Sequence, residues 1–120
     1  MAVRAIRGAT CLDVDDAGHM RTRVVELIAV MLERNGIGVD QLISVVFTAT
    51  PDIHSDFPAA AARGIGLDDV PLLCAQELDV AGALPRVVRA MAHAEMRAAR
   101  ADVVHVYLQG AEVLRRDLAQ

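Results

Sequence analysis

The sequence predicts an α+β fold, a mixed β-sheet with helices packed on one face. Three observations point to it. Strand-like runs rich in β-branched residues alternate with helical stretches in the order β-α-β-α-β-α-β-β, which implies a sheet covered by helices. The chain has 120 residues, enough for one domain with one core, and 54% of them are hydrophobic. Aromatic residues make up only 2%, so Val, Leu, Ile, Ala and Met must fill that core.

Val3 to Thr10 alternates as a strand, with Val3, Ala5 and Arg7 on one face. Asp13, Asp15 and Asp16 form an acidic turn, and Asp15 or Asp16 suits a helix N-cap. The helix runs to about Asn35: Met20, Val24, Leu27, Ile28, Met31 and Leu32 recur at three- and four-residue spacing, and Gly36 and Gly38 end it. Ile43 to Thr50 is a β-branched run that reads as a buried strand. Pro58 opens a short helix through Arg63, closed by Gly64 and Gly66. Val70 to Cys74 reads as the next strand. Ala83 to about Arg97 reads as a third helix, with Leu84, Val87, Val88 and Met91 on one side. Val103 to Leu108 is a strand, Gln109-Gly110 turns the chain, and Ala111 to Leu114 returns as a last short strand. No linker or repeat divides the sequence, so residues 1–120 form a single domain. With helices on one face only, the other face needs a cover, and a neighbouring subunit is the natural one.

Bulk properties narrow the function. The formal charge is -4, from 12 basic and 16 acidic side chains, which is not the basic face of a nucleic-acid binder. No apolar stretch reaches the roughly 18–20 residues that cross a bilayer, and the N-terminus lacks a signal-peptide core. Two cysteines, Cys11 and Cys74, beside a full-sized core read as reduced thiols of a cytoplasmic protein. Lysine is absent from the sequence, so no lysine Schiff base can form. Gly64-Ile-Gly66 is too short for a phosphate loop. His19, His54, His93 and His105 lack metal-ligand spacing. Neither a metal nor a cofactor is expected.

A set of polar residues in apolar settings remains. Cys74 and Glu77 follow the Val70–Cys74 strand, and Arg7, Arg89 and Tyr107 each stand alone in apolar elements. Each also has a plainer reading. Arg7 fits an edge-strand guanidinium lying along its stem, or a carboxylate clamp. Arg89 fits the border of an amphipathic helix, Glu77 a cap or surface pair, Cys74 a small core hydrophobe, and Tyr107 core packing. Taken together they suggest a small pocket that binds an anion.

Several motifs in order then resemble one family. Val3-Arg-Ala-Ile-Arg-Gly-Ala-Thr10, Thr48-Ala-Thr-Pro-Asp-Ile-His54, Asp56-Phe-Pro-Ala59 with Arg63, Val70 through Val80, Arg89, His105-Val-Tyr-Leu108 and Val113 through Leu118 are similar to the AroH class of chorismate mutases, across nearly the whole chain. The resemblance implies a ferredoxin-related fold that assembles as a homotrimeric pseudo-α/β-barrel with sites at subunit interfaces. It implies isomerisation of chorismate to prephenate by a Claisen rearrangement, in the biosynthesis of phenylalanine and tyrosine. Carried over by residue, Arg89 faces the ether oxygen, while Arg7 and Tyr107 hold a carboxylate. Glu77 and Cys74 meet the ring hydroxyl region. Phe57, Ala59 and Arg63 come from the adjacent subunit, Leu73 and Leu114 line the pocket, and Arg115 lies near the mouth. Two positions depart from the expected pattern: Ala60 replaces a lysine found in some relatives, and Leu73 replaces a small polar residue. A tail ending at Gln120 leaves little chain to fold over the site. Two alternatives stay open, a Rid-type enamine/imine deaminase on a similar trimer and a non-catalytic aromatic-acid binding module.

Overall fold

A computed structural model describes residues 1–116. Five strands form one sheet in the order β3-β2-β4-β1-β5. They are β1 (Ala2–Cys11), β2 (Leu42–Ala49), β3 (Leu72–Gln76), β4 (Val87–Met96) and β5 (Val106–Leu108). β4 lies in the centre, antiparallel to β1 over a ten-residue register from Ala2↔Met96 to Cys11↔Val87, and antiparallel to β2 on its other side. The outer pairs, β2 with β3 and β1 with β5, are parallel. The sheet is therefore mixed, as expected.

Two helices cover one face. α1 (Ala17–Asn35) begins where Asp16 accepts a hydrogen bond from the His19 amide, and its buried stripe is Met20, Val24, Leu27, Ile28 and Met31. It ends at Gly36, whose φ of 62° lies in the left-handed region that glycine enters without a steric cost. α2 (Pro58–Arg63) carries its proline in the first turn and buries Ala59, Ala61 and Ala62. Both helices share one core with Ile6, Val45, Phe47, Val88, Ala90, Ala92, Ala94 and Val106. α1 lies close over β1 because position 8 is glycine: a Cβ there would overlap the Met31 Sδ.

The segment expected as a third helix is the central strand. Along β4 the residues Val88, Ala90, Ala92, Ala94 and Met96 are buried, while Arg89, Met91, His93 and Glu95 point the other way. That period of two belongs to a strand. The alanines favour a helix locally, but pairing with a strand on each side satisfies the backbone and buries one whole face, and tertiary packing outweighs propensity. The preceding residues form turns, with Gly82 at φ 84°.

Smaller corrections follow. β3 starts at Leu72, and β5 is limited to Val106–Leu108. Ala111–Leu114 is a 3₁₀ turn and not a strand. Gln109 and Gly110, both at positive φ, send this turn back over the sheet face away from the helices, where Ala111 and Leu114 pack with Ala9, Cys11 and Tyr107. Asp117, Leu118 and the tail to Gln120 lie outside the described residues. No helix among the described residues is long and apolar enough to cross a membrane.

Candidate active site

The sheet face without helices holds the polar set. On a strand, alternate residues share a face. Register places Ala9 beside Arg89 and Arg7 beside Met91, with Thr48 beside Arg89 and Val46 beside Met91 on the far side. Glu77 follows β3 directly, its amide bonded to the Ala49 carbonyl at 2.9 Å, so it continues the β2–β3 ladder. Tyr107 comes from β5 and Arg115 from the chain after the 3₁₀ turn. These residues line a cleft of about 300 Å³. Its charged side chains are Arg7, Arg89 and Arg115 against Glu77, an excess of positive charge suited to an anion.

Arg89 is held from several directions. Its strand, β4, is preceded by Arg86, a non-glycine residue at φ 50°. Both carboxylate oxygens of Asp52 accept from the Arg86 amide, at 3.2 and 2.9 Å, and the Thr50 hydroxyl accepts from the Val87 amide at 3.0 Å. The Arg86 Nε donates to the Leu12 carbonyl at 3.0 Å. Burial alone would raise the Asp52 pKa, but hydrogen bonds from Thr50 and Arg86, with the Arg86 charge, bring it below the ordinary value of 3.8. The loop after β2 thus fixes the start of the strand that aims Arg89. Within the cleft, the Arg89 Nε lies 2.7 Å from the Glu77 Oε1.

Tyr107 is nearly buried against Ala9 and Ala111. Arg7 is exposed, and its neighbour is His105. Nδ1 of His105 accepts from the Arg7 amide at 2.9 Å, and Nε2 lies 3.3 Å from the Arg7 Nη1. Burial, then the charges of Arg7 and Arg115, hold the His105 pKa below its ordinary 6.5.

Arg7, Arg89, Glu77, Tyr107 and Arg115 therefore converge. Cys74 does not join them. It pairs with Phe47, a core residue of the helix face, and lines a different cleft with Ile53, His54, Phe57 and Pro58. In an extended strand, residues an odd number apart face opposite ways, which separates Cys74 from Glu77. Phe57 and Arg63 are exposed on that other side, and Ala59 is buried in the main core. Leu73 pairs with Val46 and is exposed beside the cleft. Leu114 packs behind Tyr107. Two lining residues, Val46 and Thr48, and the partner of Arg7, His105, were not picked out as site residues from sequence. Reading β4 as a strand would have brought Thr48 to Arg89; the buried Thr48 hydroxyl has no hydrogen-bond partner among the described residues.

The chain is similar to known proteins over nearly its whole length. The family model described as chorismate mutase type I matches residues 3–118. The chain is 49% identical to the chorismate mutase AroH of Thermus thermophilus over 119 residues, 97% of this chain and 96% of that one. It is 35% identical to the chorismate mutase AroH of Bacillus subtilis (strain 168) over 120 residues, covering 99% and 94%. A solved chorismate mutase from Clostridium thermocellum superposes with a TM-score of 0.89 at 40% identity, over 91% of this chain and 97% of the other. With matches of this extent to model, sequence and fold, the chain belongs to the chorismate mutase type I family.

Proposed function

We propose that this chain, a chorismate mutase, rearranges its substrate in the cleft of Arg7, Arg89, Glu77 and Tyr107, and that a homotrimer completes that cleft. Chorismate is a dianion. Its conversion to prephenate breaks a C–O bond while a C–C bond forms within the same molecule, with no nucleophile and no proton transfer. Two contributions are then open to the protein. One is binding the folded, diaxial conformer, so that the reacting carbons start close together. The other is stabilising the negative charge that grows on the ether oxygen.

Arg89 suits the second task, because it stands on the central strand with both neighbours paired and its strand start fixed by Asp52 and Thr50. A cation that interacts more strongly with the transition state than with the ground state raises kcat. Arg7 clamps one carboxylate with two parallel hydrogen bonds, the Tyr107 hydroxyl supports it, and Arg115 stands at the mouth. Glu77 accepts from the ring hydroxyl, with the arginines offsetting its charge. The observation that carries this reading is the convergence of three guanidinium groups on one small cleft.

The trimer rests on the face opposite the helices, where Val3, Leu73 and Met91 are exposed. Phe57, Ala59 and Arg63 would wall the cleft from the adjacent subunit. Cys74 shares the cleft of Phe57, so it would arrive from that side too, with Leu73 and Leu114 lining the seam. The unit is a single domain over residues 1–120, and its unpaired thiols, Cys11 and Cys74, fit a cytoplasmic enzyme. Light scattering should give three times the 12.8 kDa chain mass. A crystal with a bicyclic ether dicarboxylate should place the ether oxygen at Arg89. A monomer, or a ligand bound elsewhere, would overturn the assignment.

A further inference from the structure

The strand ladder between β1 and β5 begins at Gly8, which pairs with Val106; Ala9 and Thr10 pair with Tyr107 and Leu108. Arg7 is therefore one residue outside that ladder, and its amide has no strand partner on this side. The side chain of His105 replaces that partner, accepting the Arg7 amide on Nδ1 at 2.9 Å. A ring nitrogen that accepts a hydrogen bond carries no proton, so a neutral His105 holds its proton on Nε2. Nε2 stands 3.3 Å from the Arg7 Nη1. A guanidinium nitrogen only donates, and so does the protonated Nε2. Two donors face one gap and neither can satisfy the other. An acceptor with two lone-pair-bearing oxygens would satisfy both.

We propose that His105 is a substrate-binding residue, whose Nδ1 fixes the backbone that carries Arg7 and whose Nε2–H donates, together with the Arg7 guanidinium, to one carboxylate of chorismate. This rests on the reading of Arg7 as a carboxylate clamp. His105 serves as a neutral donor. The groups facing it are Arg4 and Arg7 from β1, His93 from β4, Arg100 from the turn before β5, and Arg115 after the last turn; the first four line with it a second cleft, which meets the Arg89 cleft at Arg7 and Met91. All are basic, and they oppose a further positive charge. Protonation would put a hydrogen on Nδ1, break the bond to the Arg7 amide and set a cation against Arg7. The loss of binding then falls on the acid side of the ordinary histidine value.

Kinetics of the whole enzyme with chorismate test this. His105→Asn keeps a carbonyl oxygen near the Nδ1 position and removes the far donor; His105→Phe removes both. A hydrogen bond to a charged group predicts that His105→Asn raises KM by about tenfold or more, with kcat within about twofold of the parent enzyme. Between pH 8 and pH 5 the parent KM should climb as pH falls toward the folded His105 value, which lies below 6.5, and the His105→Asn KM should stay flat over the same range. Phe at this position should add a loss in kcat as Arg7 loosens; should that variant not fold, His105→Asn decides alone. An unchanged KM in His105→Asn, or a parent pH profile that the substitution does not alter, overturns the proposal. Arg7→Ala separates the two levels of inference. If it raises KM and His105→Asn does not, only the role of His105 fails. If Arg7→Ala leaves KM unchanged, the clamp itself is wrong.

Discussion

The Arg89 Nε lies 2.7 Å from the Glu77 Oε1, yet the carboxylate sits off the line of the N–H bond, so the pair attract without an aligned hydrogen bond. Both side chains are partly open to solvent, at 43% and 25% exposure. An ion pair of that kind contributes about 0–1 kcal/mol to folding. A preorganised donor aimed at growing negative charge is worth about 3–4 kcal/mol in a transition state. On the proposed role, loss of Arg89 should cost far more in catalysis than in folding.

Arg89→Ala should therefore lose about 10²–10³ in kcat, while its melting temperature stays within a few degrees of the parent. Steady-state turnover of chorismate and a thermal melt check the two halves. Near-normal turnover would remove Arg89 from the transition state. A collapse of the melt would make it a structural residue.

In the proposed complex Glu77 would face a dianion, which makes sense only if it accepts from the ring hydroxyl. In that role it would contribute the roughly 1.5–3 kcal/mol of a hydrogen bond to a charged group. Glu77→Ala should lower kcat/KM by about 10–100-fold, and Glu77→Gln should recover part of it, because an amide oxygen still accepts. Full activity in both variants would leave the carboxylate only a counterion to Arg89.

Local rules read some elements well and others poorly. α1 was legible because its cap, stripe and terminal glycine all lie within the helix itself. β4 was not, because Leu84, Val87, Val88 and Met91 satisfy a helical spacing while Val88, Ala90, Ala92 and Ala94 satisfy a strand spacing just as well. Only the two flanking strands decide between them, and they are distant in sequence. Arg89 was named despite the wrong element, since resemblance attaches to a residue and not to its backbone. Cys74 and Glu77 looked like a pair at three-residue spacing, and strand alternation parts them. His105 was passed over because its contact with Arg7 arises at the end of a ladder, a place defined only when β1 and β5 meet.

The close approach of α1 to β1 depends on Gly8, since an added Cβ would overlap the Met31 Sδ and press on Leu27. Both of those side chains are buried, so neither has open space to move into. Overpacking of this kind costs about 1–3 kcal/mol. Gly8→Ala should lower the urea midpoint accordingly, and since Gly8 also lines the cleft, it should reduce activity as Arg7 shifts. A variant as stable as the parent would show that α1 has slack over the sheet.

Two acid transitions in stability follow from the titrating groups. His105 has a folded pKa below 6.5. The unfolded chain binds its proton first, so this contribution is full above about pH 6.5 and is lost as pH falls from there through the folded value. Asp15 and Asp52 have folded pKa values below 3.8. Asp15 is lowered first by the Ser55 hydroxyl and then by the His54 amide, which it meets at 2.8 Å. Their contribution is present above about pH 4 and is lost as pH falls through those lower values. Urea unfolding followed from pH 8 to pH 2.5 should show two separate declines. His105→Asn should flatten the upper one alone. Asp15→Asn and Asp52→Asn should each reduce the lower one. Asp52→Asn should also slow turnover, because the same carboxylate holds the start of the strand that aims Arg89. If Asp52→Asn weakened the fold in acid but left kcat untouched, that proposed link between the loop after β2 and Arg89 would be broken.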